Sequence, residues 1–204
     1  MVTIAIQAGG RSSRLGRDKA FVSLAGKPII EHLLERIQGL GDELLITTNQ
    51  PKAYSHLDIR TIPDTMPDGG ALAGILTALT AAKGESVLVL ACDMPFVSRP
   101  LLEHQLGLAE RADIIVPRIG DYLEPLHAVY KVRTCRPAVV QALASGERRI
   151  ISFFSHLRIL PVEGATLEKL DPQGLSFFNV NTPEDLARAE KLLTGGPDAS
   201  RERP

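Results

Sequence analysis

Short apolar runs alternate with longer stretches of helical spacing along most of this chain. Residues 2–8, 43–48, 59–62, 87–91 and 113–116 predict strands, mostly apolar at successive positions as parallel strands buried on both faces should be. Residues 126–131 are a further strand candidate. Between the first two runs, residues 28–38 carry Ile29, Ile30, Leu33, Leu34 and Ile37 on one stripe, with Pro28 at the favoured first position and Gly39 as a stop. Residues 72–83, 98–109 and 132–144 also have helical spacing, the second opening on Ser98 as an N-cap. The last helix, 183–193, opens with Thr182-Pro-Glu-Asp: the threonine caps, the proline starts the helix, and Asp185 stands where a capping-box acid belongs.

Strands and helices in alternation predict an α/β fold: a single three-layer domain over residues 1–194, with a mostly parallel central sheet and helices on both faces. From residue 195 to 204 there is no apolar face to bury, and a disordered tail is expected. With 204 residues, 44% hydrophobic and 23% charged, the chain can bury a sizeable core; aromatics are only 4% and Trp is absent, so that core is aliphatic. A net charge of −1, with acids and bases interspersed, argues against a nucleic-acid or membrane-surface partner. Cys92 and Cys135 lie far apart, in no disulfide or zinc pattern. The opening residues lack a basic, then long apolar leader, and no run reaches membrane-spanning length, so a cytoplasmic location is expected.

The most informative stretch follows the first strand: Ala8-Gly9-Gly10-Arg11-Ser12-Ser13-Arg14-Leu15-Gly16-Arg17-Asp18-Lys19. Glycines let backbone N–H groups approach an anion, and four cations within nine residues neutralise it. The spacing is neither G-x-G-x-x-G nor a P-loop, so it implies a phosphate site of another type. An ordinary charged turn is the competing reading. The position at the carboxyl end of the first strand, where open α/β sheets bind ligands, favours a triphosphate cradle.

These residues, with Leu24-Ala-Gly-Lys-Pro-Ile, resemble the signature loop of the Rossmann-related, GT-A-like nucleotidyltransferases, and of molybdenum cofactor guanylyltransferases of the MobA type in particular. Gly70-Ala-Leu-Ala-Gly-Ile, Ala91-Cys-Asp-Met-Pro-Phe, Gly146-Glu-Arg-Arg and Asn179-Val-Asn-Thr-Pro-Glu-Asp-Leu are similar to further blocks of that family in the same order, and Glu124-Pro-Leu-His-Ala-Val-Tyr to another. The resemblance covers residues 2–193. It implies transfer of GMP from GTP to molybdopterin with release of pyrophosphate, dependent on Mg2+, in concert with other molybdenum cofactor biosynthesis proteins. It further implies nucleotide binding by Gln7, Ala8, Gly9, Gly10, Arg14, Lys19, Asp64 and Asp93, with Arg14, Lys19 and Asp93 catalytic and Asp93 holding the metal.

Residue chemistry supports parts of this independently. Asp93 ends a buried apolar run and emerges at the sheet end, and magnesium commonly takes one or two carboxylates plus phosphate oxygens. A turn-forming role is the alternative for Asp93, and more so for Asp64 and Asp68. Gly69, Gly70 and Gly74 suit close approach of the following helix to a nucleotide. Arg148 or Arg149 is a candidate for the acceptor phosphate, and Asn179 and Asn181 for the amide edges of a pterin; a solvated turn is the competing reading. None of the five histidines has ligand spacing to another, so structural or surface roles are expected. Gln7 and Thr47 depart from the leucine and asparagine usual in the family, where the base is expected. The rival functions are a cytidylyltransferase, a transferase for another phosphorylated acceptor, and a non-catalytic nucleotide-binding regulator. A nicotinamide oxidoreductase fits least, because the glycine spacing is wrong and no ribose-binding acid follows at the expected distance.

Overall fold

A computed structural model describes residues 1–8, 18–66 and 69–195. The stretch 9–17, with Gly9, Gly10 and Arg14, lies outside the described residues, as do Asp68 and the tail from 196 onward. In chain order the elements are β1 (Val2–Gln7), β2 (Ser23–Leu24), β3 (Lys27–Pro28), α1 (Ile29–Ile37), β4 (Glu43–Thr48), β5 (Arg60–Pro63), α2 (Gly70–Ala81) and β6 (Ser86–Ala91). They continue as α3 (Arg99–Gly107), β7 (Ile114–Ile119), β8 (Tyr122–Leu123), β9 (His127–Lys131), α4 (Val132–Ala144), β10 (Ile159–Val162), α5 (Gly164–Leu170) and α6 (Pro183–Leu193).

The main sheet runs β10-β7-β9-β6-β1-β4-β5, with β8 folded back on β7. Its strands are parallel except for β9, which is antiparallel to both β6 and β7, and the short β8. The reversal of β9 was not evident from its apolar pattern. Its cause is the short link from β7, which carries only the β8 hairpin and has no room for the crossover helix a parallel return requires.

Alternating side chains supply two core layers. Ile4, Ile6, Leu88 and Leu90 pack with Ile30, Leu33 and Ile37 of α1 and Leu101 and Leu102 of α3. Ala5, Leu45, Val87 and Val89 pack on the other face with Leu72, Ile75 and Leu79 of α2 and Val139 of α4. The aliphatic three-layer α/β sandwich expected from the pattern is therefore present. A third small cluster joins Leu24 of the β2–β3 hairpin to Ile29, Phe96, Val180 and Ala189, and so fastens α6 beside the cleft described below.

Two helix starts differ from expectation. Pro28 belongs to β3 and stands at the N-cap of α1 rather than at its first turn, because pairing with Ser23 holds it extended. Ser98 occupies the N-cap of α3, but its hydroxyl donates to the Leu170 carbonyl and ties α3 to the end of α5 instead of capping. The capping box of α6 forms as read: the Asp185 N–H donates to Thr182 Oγ1 at 3.1 Å, and the Asp185 carboxylate accepts from the Thr182 N–H at 2.9 Å.

Candidate active site

Strand order reverses beside β1: the chain moves outward to β4 and β5, then returns to the opposite side of β1 with β6. Open α/β sheets place their ligand crevice at the carboxyl ends of strands flanking such a reversal. A cleft of about 410 Å³ lies there, lined by Gln7, Ala8, Ala91, Cys92 and Asp93 from the two strand ends, and by Asp18, Lys19, Glu124, Asn179 and Asn181 from surrounding segments. Parallel register sets Gln7 opposite Ala91, and the Cys92 N–H donates to the Gln7 carbonyl at 3.1 Å. Asp93 therefore leaves the sheet on the first turn beyond a fully buried strand.

Lys19 Nζ donates to Asp93 Oδ2 at 3.3 Å and also to Asn181 Oδ1. Burial pushes the Asp93 carboxyl above the usual carboxylate range, and Lys19 opposes that shift. Lys19 thus stabilises the ionised form of a carboxyl that burial disfavours. Asn181 is held by two local devices: its N–H donates to Asp185 Oδ2 at 3.0 Å, and the neighbouring Val180 N–H donates to the Asp93 carbonyl at 3.0 Å. The capping box of α6 consequently places an amide oxygen against the lysine.

Gln7 lines the cleft from the end of β1, and further buried polar groups lie outside that lining at the ends of β4 and β5. The Gln7 side chain is 7% exposed; its Nε2 donates to the Ala71 carbonyl at 3.0 Å. Gly74 makes the room for it, since a Cβ there would come within 2.1 Å of Gln7 Nε2. This fixes the amide so that Oε1 is buried without a partner among the described residues. Thr47 Oγ1 and Asp64 Oδ1, at the ends of β4 and β5, are likewise buried and unpaired, and desolvation raises the Asp64 pKa. Gly74 serves the glutamine rather than bringing α2 itself against a ligand.

Among the sequence candidates, Gln7, Ala8, Lys19, Asp93, Asn179 and Asn181 converge on the cleft. Asp64 sits at the end of β5, next to Thr48, whose carbonyl accepts its N–H at 3.3 Å. Arg148 does not join them: it is exposed, with Nη1 on the Glu147 carbonyl at 3.0 Å, whereas Ile150 lines the cleft. Sequence reasoning missed Asp18 and Glu124 as lining groups. Asp18 adjoins Lys19 in the motif; Glu124 could be found only by its resemblance block. Glu124 is half-buried, its carboxyl raised by desolvation. His127, by contrast, is fully buried on β9 against Phe177, with ring centroids 5.0 Å apart, and lines no part of the cleft.

Among the described residues, no group of three or more His, Cys, Asp or Glu side chains is arranged to hold a metal, so a cation at Asp93 would depend on ligand oxygens from the substrates. Residues 4–159 match the family described as the MobA-like NTP transferase domain. The chain belongs to that family. A relative from Pelotomaculum thermopropionicum, named a probable molybdenum cofactor guanylyltransferase, is 35% identical over 92% of this chain and 91% of its own length. The molybdenum cofactor guanylyltransferase of Desulfosudis oleivorans is 32% identical over 96% of this chain and 97% of its own. The crystal structure of molybdopterin-guanine dinucleotide biosynthesis protein A from Archaeoglobus fulgidus superposes with a TM-score of 0.82 at 33% identity, covering 95% of this chain and 99% of that one. The GT-A-like nucleotidyltransferase architecture read from the motifs is thereby established, and no helix among the described residues is long and apolar enough to cross a membrane.

Proposed function

We propose that this protein is a cytosolic enzyme that transfers GMP from GTP to molybdopterin. The acceptor's terminal phosphate oxygen forms a bond to the α-phosphorus as the bond to the departing pyrophosphate breaks. No protein nucleophile is needed, so the chain's work is to position two anions and stabilise developing charge. The observation that carries this reading is the convergence of Lys19, Asp93 and Asn181 at the β1–β6 reversal.

Lys19 is the group that exchanges partners: it neutralises Asp93 in the free protein and turns to phosphate oxygens when the nucleotide enters. Asp93 is the residue that would hold Mg2+, which would supply charge neutralisation at the phosphates. Ala8, Gly9, Gly10 and Arg14 complete the polyphosphate cradle in this reading, with Asn179 beside the acceptor, Arg148 a candidate for the acceptor's phosphate from outside the cleft lining, and Asp64 beside the nucleoside.

GTP is favoured over CTP by an unpaired acceptor. Gln7 Oε1, from a residue that lines the cleft, suits a base edge with adjacent N–H donors, as guanine presents at N1 and its 2-amino group. Pyrophosphate release is the direct test, with Mg2+, molybdopterin and either GTP or CTP. Release with GTP and little with CTP is expected; equal or greater use of CTP would reject the base assignment, and no release with either would reject the transfer reaction.

A further inference from the structure

Asp18 and Lys19 are adjacent, oppositely charged, and both line the cleft. Left to themselves such neighbours can neutralise each other, which would withdraw the lysine from phosphate chemistry. They do not pair: the ion pair of Lys19 among the described residues is with Asp93 at 3.3 Å. Each oxygen of Asp18 accepts a hydrogen bond that orients the carboxylate away from Lys19. Oδ1 accepts the Ala20 N–H at 3.1 Å as the cap of the turn Lys19–Phe21, and Oδ2 accepts the Tyr54 hydroxyl at 2.7 Å.

Tyr54 comes from the turn Pro51–Leu57 after β4, a segment to which the proposed transfer reaction assigns no role. It is fully buried, yet spends its single donor on a carboxylate at the cleft. Its ring is held by Phe21 at 4.8 Å between centroids, and Phe21 by His56 at 5.3 Å. Burial raises the phenol well above its ordinary value, so it remains a donor at any working pH.

We infer that Tyr54 is a positioning residue: by holding Asp18 Oδ2, it keeps that carboxylate from competing for Lys19 and for a cation at Asp93. This rests on Lys19 acting in GMP transfer as proposed above. Without the hydroxyl, nothing fixes the direction of Asp18 Oδ2, one residue from the lysine. Its charge then becomes a liability that can be removed separately.

That separability provides the test. Pyrophosphate release is measured at saturating GTP and acceptor for the wild type, Tyr54→Phe, Asp18→Asn and the double variant, with melting temperatures alongside. Tyr54→Phe is expected to lower kcat roughly tenfold to a hundredfold, the range of one charge-assisted hydrogen bond, with little change in KM for GTP. Adding Asp18→Asn to Tyr54→Phe should raise kcat again, since a neutral amide does not compete for a cation. A purely structural anchor would make the second change additive or worse. Wild-type kcat in Tyr54→Phe, or a double variant no faster than Tyr54→Phe, overturns the inference. Should Tyr54→Phe fold poorly, Asp18→Ala decides: positioning predicts a kcat well above that of Lys19→Ala, whereas a kcat as low as Lys19→Ala overturns it. Lys19→Ala also separates the two readings. Full activity in Lys19→Ala defeats the role of the lysine itself, while an inactive Lys19→Ala beside an unimpaired Tyr54→Phe defeats only the role of Tyr54.

Discussion

Two sides of the strand ends treat buried polarity in opposite ways, and of the second only Gln7 lines the cleft. On one, Lys19 donates to Asp93 and Asn181, and Tyr54 donates to Asp18. On the other, Gln7, Thr47 and Asp64 each bury an oxygen with no partner among the described residues. A charge removed from water without compensation is too costly to persist, so the charged side must pair internally until phosphate and cation replace those partners. An unpaired acceptor on Gln7 or Thr47 costs only about 1–3 kcal/mol, which a bound donor can recover, and desolvation drives Asp64 toward its neutral form. In the proposed reaction the charged side would exchange partners, and Gln7 on the neutral side would select the base.

The comparison breaks most readily at Lys19. Lys19→Ala should lower turnover by roughly 10²–10³-fold, the effect of removing one fixed donor from developing phosphoryl charge, while the melting temperature changes little. Steady-state rates and thermal denaturation check this; an unchanged rate would mean that the paired side is only structural.

His127 sharpens the contrast, because its two ring nitrogens are also buried and unpaired but face no cleft. Their cost should therefore appear in stability rather than in ligand binding. Burial lowers its pKa from 6.5 to about 4, so between those values the unfolded chain takes up a proton that the folded chain refuses. Its contribution is complete above pH 6.5 and is lost as pH falls towards 4, amounting to about 3 kcal/mol. Denaturant titrations at pH 7 and pH 4.5 should show a larger loss for wild type than for His127→Leu.

The smallest expected effect tests selection. Gln7→Leu should weaken GTP binding about tenfold, the worth of one hydrogen bond to a buried acceptor, and weaken CTP binding less. Calorimetric titration of both nucleotides checks it; parallel losses would make Gln7 a packing residue.

Much of this was legible in the chain. Runs of apolar residues located β1, β4 and β6, helical stripes located α1 and α6, and Thr182 with Asp185 announced a capping box that forms as read. Lys19 stood out as a cation of the glycine loop, Asp93 as the carboxylate that ends a buried apolar run, and Asn181 through the closing block that resembles the family. The hairpin β2–β3, the edge strand β10 and the helix α5 were not legible, being too short for a period to emerge. Arg148 shows the converse limit: a basic residue in a suggestive motif points along its own turn, and nothing local records where a side chain on a loop will face.

The sequence by itself therefore determined the longer elements, their layering and the chemistry available at their ends, since periodicity and capping depend on neighbours a few residues away. Only the tertiary structure decided that β9 runs against its neighbours, that β6 returns beside β1, and that Lys19 meets an aspartate 74 residues on and an asparagine 162 residues on. Those meetings depend on which strands pair and how the layers pack, and the free energy that selects them is spread over the whole core rather than written at any one position.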